Sequence, residues 1–276
     1  FFFFLSVHNQ TTYYSRMAKS AQDKIAAINT YTKAGTRVLD FGSGLNLDVA
    51  EFVSGRGGAY TSVDNERSVV DAMLDAGFES HTDLRYIAGR EFDVIFLSSV
   101  LHELFSYCSP LVAAHTFADL AKLLAPDGVI VIRDWYIHPA DQWELQTQLT
   151  VNEAAKGEVD QWLAALQHNG VIGSVAKSSN WDRYGDGVLT GCVADLYEAL
   201  YHCVWGIKSL ERESAERYAI RELDLDRLVD NNGLRVVLSE SYHDDSYDRY
   251  FGRLFSHLSS ELRDAPSKHV LVFKKA

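Results

Sequence analysis

The chain is short of several things, and each deficit narrows what it can be. Cysteine is scarce: Cys108, Cys192 and Cys203 are an odd, scattered set with no CxxC pair. That speaks against a disulfide framework and for a reducing, cytoplasmic compartment. With 4 prolines and 18 glycines in 276 residues, long disorder is not expected. No window approaches the roughly 18–20 apolar residues of a membrane-spanning helix. Basic residues are outnumbered, 26 Lys and Arg against 38 Asp and Glu, for a net charge of −12. Such a balance repels nucleic acid at long range and leaves no basic footprint. The opening "FFFFLSVHNQ" is too short for the apolar stretch of a secretory leader and lacks its basic flank; it reads as a tail or a small hydrophobic anchor.

What is present is a rhythm. Residues 11–30 have helical character. Strands are then expected at 37–41, 60–63, weakly at 78–81, at 92–97 and at 129–132. Helices fall between them at 46–53, 66–76 and 111–124, the last stopped by "APDG". Unbroken apolar runs such as "FDVIFL" and "VIVI" suit strands buried on both faces of a parallel sheet. Alternation of strand and helix predicts a doubly wound α/β sheet. The rhythm breaks at 135–220, which holds all five tryptophans and reads as helical or irregular. It resumes with a helix in "LDLDRLVDNNG" and two strands, "LRVVLSESY" and "KHVLVFKKA", the last antiparallel at the sheet edge. The expected division is an N-terminal helical segment at 1–33, a core at 34–134 and 221–276, and an aromatic-rich helical insertion at 135–220.

The stretch "RVLDFGSGLNLD", 37–48, carries the chemistry. A strand, a glycine turn and a helix start make a site for a polar group. Gly42 and Gly44 begin a G-x-G-x-x-G dinucleotide fingerprint, but Leu47 stands at its third glycine, and no GK[ST] follows for a phosphate-binding P-loop. Asp40, just before the turn, is wrong for a pyrophosphate and suits a cationic or hydroxyl-bearing ligand. In "TSVDNE", Asp64 ends the second strand 20 residues after Gly44, where an acid accepts ribose hydroxyls. The ligand then carries a ribose, an amino or cationic group, and no diphosphate.

With these motifs the sequence resembles the class I S-adenosylmethionine-dependent methyltransferases. The match runs through "VLDFGSG", "SVDNE", "FDVIFLSSVLHEL" and "LLAPDGVIVIRDW", in that order, with Asp127 where the family usually has Gly. The resemblance implies a seven-stranded Rossmann-like sheet with an antiparallel last strand, S-adenosylmethionine as cofactor and S-adenosylhomocysteine as product. It implies that Asp40, Gly42, Ser43 and Gly44 serve the methionine part, and that Asp64 and Asn65 serve the ribose. Asp83 would face the adenine, and Ser98 and Ser99 would line the cofactor near the sulfonium. Tyr14 and Arg16 would close over the methionine carboxylate.

Catalysis and acceptor choice are less legible. His102, after the fourth strand, is a general base, a substrate contact or a structural histidine; Asp134 follows the fifth strand at the pocket mouth, with Tyr136 and His138. Glu103, Trp135, Tyr136, Tyr197 and Tyr201 are candidates for contacting the acceptor. Tyr197, Tyr201 and Trp205 recur at helical spacing, as either a lid wall or core packing. No metal is expected: "HEL" is not HExxH, because Ser106 occupies the second histidine position, and "YHDDSYD" offers His243, Asp244 and Asp245 without a further matched ligand. The loop "SSVL" lacks the [DNS]PP[YFW] of amino-methylating DNA enzymes. The chain also has no Pro-Cys nucleophile, and the acid of Lys-Asp-Lys-Glu ribose methyltransferases is here Ser. A small-molecule or peptide acceptor is favoured. An RNA or cap-type methyltransferase is one alternative. The other is a non-catalytic subunit that binds a partner protein through the insertion or the Phe-rich N-terminus.

Overall fold

The structure is a computed structural model, and it describes residues 21–276. The first part runs α1 (Ala21–Asn29), β1 (Arg37–Phe41), α2 (Leu47–Gly55), β2 (Ala59–Val63), α3 (Arg67–Asp75), β3 (Glu79–His81), β4 (Phe92–Ser98), α4 (Leu101–Tyr107), α5 (Pro110–Leu123) and β5 (Leu124–Trp135). Next come β6 (Ile137–His138), β7 (Gln146–Val151), α6 (Lys156–His168), β8 (Ala176–Lys177), β9 (Gly187–Cys192), α7 (Val193–Cys203) and β10 (Ile220–Arg221). The chain closes with α8 (Glu222–Asn231), β11 (Leu234–Tyr242), α9 (Asp248–Leu254), β12 (Phe255–Leu258), α10 (Ser260–Arg263) and β13 (Lys268–Lys275).

Seven strands form the main sheet in the order β11-β13-β5-β4-β1-β2-β3. Strands β1 to β5 pair in parallel, and β13 runs antiparallel to both β5 and β11. This is the doubly wound sheet that the alternation predicts, with the antiparallel last strand that the resemblance implies; β13 is not at the edge as expected, because β11 pairs along its outer side. The two-residue period sends Val94 and Phe96 of β4 to a core shared with Ile28, Val49 and Met73, and Ile95 and Leu97 to one shared with Leu101, Phe117 and Leu228. Because both faces are covered by helices, the strands read as unbroken apolar runs. The order reverses between β1 and β4, and the carboxyl ends of those strands are where such a sheet opens a crevice.

The insertion departs from the expectation of a helical or irregular segment. It contains α6 and α7 but also a four-stranded antiparallel sheet, β12-β7-β9-β8. Strand β12 comes from between β11 and β13, a stretch that the sequence pattern treats as a simple return. The insertion has its own core, built on Trp162, Leu163, Leu189, Leu196, Tyr197 and Tyr201 and joined by Phe251, Leu254 and Phe255. Its two ends meet where β6 pairs in parallel with β10. Among the described residues no helix is long and apolar enough to cross a membrane.

Candidate functional site

A cleft of about 1050 Å³ lies across the carboxyl ends of the parallel strands. The glycine turn forms one wall. Gly42 and Gly44 adopt φ of +69° and +55°, the left-handed region that favours glycine, and a Cβ at Gly42 would stand 2.4 Å from Val100 Cγ2. The Gly42 N–H donates to the Val63 carbonyl and that of Gly44 donates to Asp64 Oδ2 at 2.9 Å. Asp64 Oδ1 accepts the Glu66 N–H at 2.9 Å. Asp64 is thus fixed at the tip of β2 with one backbone donor on each oxygen, leaving lone pairs toward the cleft that it lines with Asn65. Burial raises its pKa, against those two N–H groups.

Asp40 departs from expectation. Its side chain lies behind the turn, 1% exposed, and accepts the Tyr60 hydroxyl at 2.9 Å. Burial pushes its pKa up to about 6, against the Tyr60 bond and the charge of Lys24. Lys24, a buried residue of α1, lines the cleft instead, its own pKa lowered by burial to about 8. Tyr14 and Arg16 lie outside the described residues.

At the end of β4, Ser99 takes φ of +59°, unusual for a residue with a side chain, and its N–H donates to the Arg133 carbonyl. Ser98 Oγ is buried without a hydrogen-bond partner, and Ser43, Ser98 and Ser99 all line the cleft. Asp83 reaches the cleft rim, but Arg85 occupies its carboxylate through two side-chain bonds and a backbone one, which hold its pKa down. Asp127 is exposed with no positive φ, so the turn tolerates the loss of glycine there.

The sequence candidates His102 and Asp134 are brought together. Nδ1 of His102 is 2.7 Å from Asp134 Oδ1. Asp134 also accepts the N–H groups of Leu101 and Trp135, so it caps α4 while orienting the ring. Nε2 of His102 lies 3.7 Å from Glu216 Oε2, an ion-pair contact longer than a hydrogen bond. Burial opposes a charge on this ring, but Asp134 and Glu216 outweigh it and hold the His102 pKa well above the usual histidine range. Asp134 is correspondingly low, because the His102 charge overcomes its burial. Glu103 opens onto the cleft next to this pair, its pKa pushed up by burial to about 7.

Trp135 lines the cleft, stacked on Tyr218 with ring centroids 4.4 Å apart and with Lys268 Nζ 3.4 Å from its ring centre. Tyr136, Tyr197 and Tyr201 do not line it. Tyr136 packs against His138 and His269. Tyr197 and Tyr201 are fully buried one layer behind Trp135, Tyr197 donating to the Pro266 carbonyl and Tyr201 ringed by Tyr247 and Phe251. The lid wall is therefore a core; Trp205, at the end of the same stripe, is the member that reaches the cleft.

Sequence reasoning missed Lys24, Arg133, Glu216, Tyr218, Tyr247 and Lys268, all of which line the cleft. For Lys268 a signal existed: an antiparallel last strand begins at the end where the parallel strands finish, and Lys268 pairs with Trp135. His243, Asp245 and Asp248 place ligand atoms within 4.8 Å of one another, but on the surface, with His243 Nε2 already 2.8 Å from Asp248 Oδ1.

The methyltransferase-domain family model matches residues 13–182, more than half of the chain. No curated protein sequence matches. Among solved structures, a SAM-dependent methyltransferase from Archaeoglobus fulgidus is 12% identical with a TM-score of 0.52, the match covering 94% of each chain. The [4+2]-cyclase SpnF is 11% identical with a TM-score of 0.50, over 93% of this chain and 80% of the other. At these identities the two structures show a shared fold. The family match stands on the sequence itself and spans the glycine turn, Asp64 and the His102 loop. The chain therefore belongs to the methyltransferase-domain family, as a class I S-adenosylmethionine-dependent methyltransferase.

Proposed function

We propose that the enzyme methylates a hydroxyl or amine of a small-molecule or peptide acceptor, with His102 as general base and Asp134 orienting it. The observation that carries this reading is the 2.7 Å Asp134–His102 bond at the cleft wall, beside the glycine turn. The cleft residues fit the cofactor: left-handed glycines leave a bare backbone, Asp64 has lone pairs for ribose hydroxyls, and Ser98 Oγ is a buried hydroxyl awaiting a partner. In this reading Gly42, Ser43 and Gly44 hold the methionine part, Asp64 and Asn65 the ribose, and Lys24 the carboxylate.

When bound, S-adenosylmethionine supplies a methyl group already activated on a sulfonium. The protein then has to align and to exclude water. His102 Nε2 takes the proton that the acceptor oxygen or nitrogen loses as it is methylated, and passes it to solvent; the methyl would come from bound S-adenosylmethionine, with S-adenosylhomocysteine as the released product. Asp134 keeps Nδ1 protonated and Nε2 aimed at the cleft. Trp135, Tyr218 and Trp205 give the acceptor an apolar, aromatic wall. The buried carboxylates that face this wall, with the net negative charge, disfavour an RNA acceptor.

The test is His102→Gln assayed for methyl transfer over pools of small-molecule and peptide acceptors. The rate should fall by about 10²–10⁴ with cofactor affinity unchanged. The base works unprotonated and its pKa is raised, so the wild-type rate should climb with pH above neutrality, and the variant should lose that climb. A His102→Gln enzyme with wild-type rate and pH profile would remove His102 from the chemistry.

A further inference from the structure

Three cations converge on one rim of the cleft: Lys24 of α1, Arg133 near the end of β5 and Lys268 at the start of β13. They are 3%, 1% and 5% exposed, and all line the cleft. Register explains the convergence. Lys268 pairs with Trp135, and Arg133 stands two residues earlier, so all three side chains leave the same face of the sheet, the face that α1 covers. Asp134 leaves the opposite face, toward α4 and His102. The cleft thus has a cationic rim on one side and the His102 pair on the other.

The carboxylates near the rim are engaged elsewhere. Asp134 is bonded to His102 and to backbone, Asp40 to Tyr60, and Asp244 to the Ser246 N–H. Among the described residues Asp23 is the carboxylate that bonds to the cluster, accepting from Arg133 at 3.3 Å, while Asp134 and Asp244 act on Lys268 through their charge without bonding to it. Among the described residues the Lys268 ammonium has no hydrogen-bond acceptor; its contact is the Trp135 ring. A buried ammonium without an acceptor is costly, and burial, followed by the Arg133 charge, lowers the Lys268 pKa to about 7. A bound anion would reverse that cost with charge-assisted hydrogen bonds.

The sheet order says which ligand brings the anion. The glycine turn and Asp64 sit on β1 and β2, whereas Lys268 sits on β13, three strands from β1. At the usual strand spacing that is roughly 14 Å, on the far side of β4 and β5 from the ribose site. We propose that Lys268 and Arg133 form an anion subsite for the methyl acceptor, so that the acceptor carries a carboxylate or a phosphate. Its anionic group pairs with the rim while its nucleophile faces His102 across the cleft. This rests on the reading of the cleft as the acceptor site.

The test uses benzoate and phenyl phosphate, with benzamide as the uncharged control, each titrated by calorimetry into protein saturated with S-adenosylhomocysteine. One of the anions should bind at least tenfold more tightly than benzamide, and the one preferred separates carboxylate from phosphate. Lys268→Met should erase the preference, and Lys268→Arg should keep it. Wild-type protein with no preference for either anion over benzamide overturns the proposal, whatever the folding of the variants. So does a preference that survives in Lys268→Met. Anion binding seen only without S-adenosylhomocysteine also overturns it, because the rim would then hold the carboxylate of the cofactor. None of these readouts is turnover, so failure here leaves the His102 assay standing, and failure of that assay leaves this one readable.

Discussion

At the scale of single residues, Asp64 ties the glycine turn to the tip of β2, where we propose that the ribose binds. Its two oxygens hold the backbone of Gly44 and Glu66, so it orders the glycine turn before any ribose arrives. Hydrogen bonds to a charged group are each worth about 1.5–3 kcal/mol. Asp64→Ala should therefore weaken S-adenosylmethionine binding by at least about tenfold, as measured by calorimetry, with far-ultraviolet circular dichroism unchanged. Undiminished affinity would reduce Asp64 to a cap on the turn. Ser99 belongs to the same scale. Its left-handed backbone is held by the bond to the Arg133 carbonyl, and it bends the chain out of β4 into the cleft.

At the scale of elements, α7 is the instructive case. From Val193 to Cys203 every residue but the half-buried Asp195 is buried, because the helix runs through the middle of the insertion with β7, β9 and α6 around it. A stripe of Tyr197 and Tyr201 at helical spacing serves packing there. Tyr197→Ala should then cost about 3–5 kcal/mol of stability, as aromatic truncations in cores do. A thermal melt run beside a cofactor titration checks it. The melting temperature should drop steeply while folded protein still binds S-adenosylmethionine with native affinity. A variant that melts normally but turns over slowly would return Tyr197 to the acceptor wall.

At the scale of the whole molecule, the insertion and the main sheet respond differently to acid. His138 is buried with neither ring nitrogen hydrogen-bonded, caged by Tyr136, Trp143 and Tyr197. Burial lowers its pKa to about 4, and that of buried His202 likewise. Both values lie below the usual 6.5, so the unfolded chain takes up protons first. The stability they allow is complete above about pH 6.5 and is lost as pH falls toward 4. His102 has the opposite sign: its raised pKa adds stability below 6.5 that is lost as pH rises through the raised value. For His138 the shift from 6.5 to about 4 corresponds to about 3 kcal/mol. His138→Leu should match or exceed wild-type stability at pH 7.5, because it removes two unpartnered polar atoms. Its advantage should widen by about 2–3 kcal/mol at pH 4.5, read from urea melts at both pH values. An equal gap at both would mean that His138 gains a proton in the folded state without penalty.

What the sequence determined by itself was local in origin. Unbroken apolar runs, helix stops and two left-handed glycines are written in neighbouring residues, so the parallel strands, the glycine turn and the place of Asp64 at the end of β2 were readable in one dimension. The insertion was harder, because β12 joins its sheet from about a hundred residues away and the partners of an antiparallel strand are not marked in its own stretch. The same holds for the cleft. Asp40 matches the motif, yet the pleat turns its side chain behind the turn, while Lys24 arrives from α1 to line the cleft. His102 and Asp134 are 32 residues apart in the chain, and only the pairing of β4 with β5 makes them neighbours. Lys268 and Arg133 meet because the last strand runs backwards. Tertiary structure decided these groupings, because burial and charge act between side chains through space, and strand order, direction and register together set which ones meet on a face.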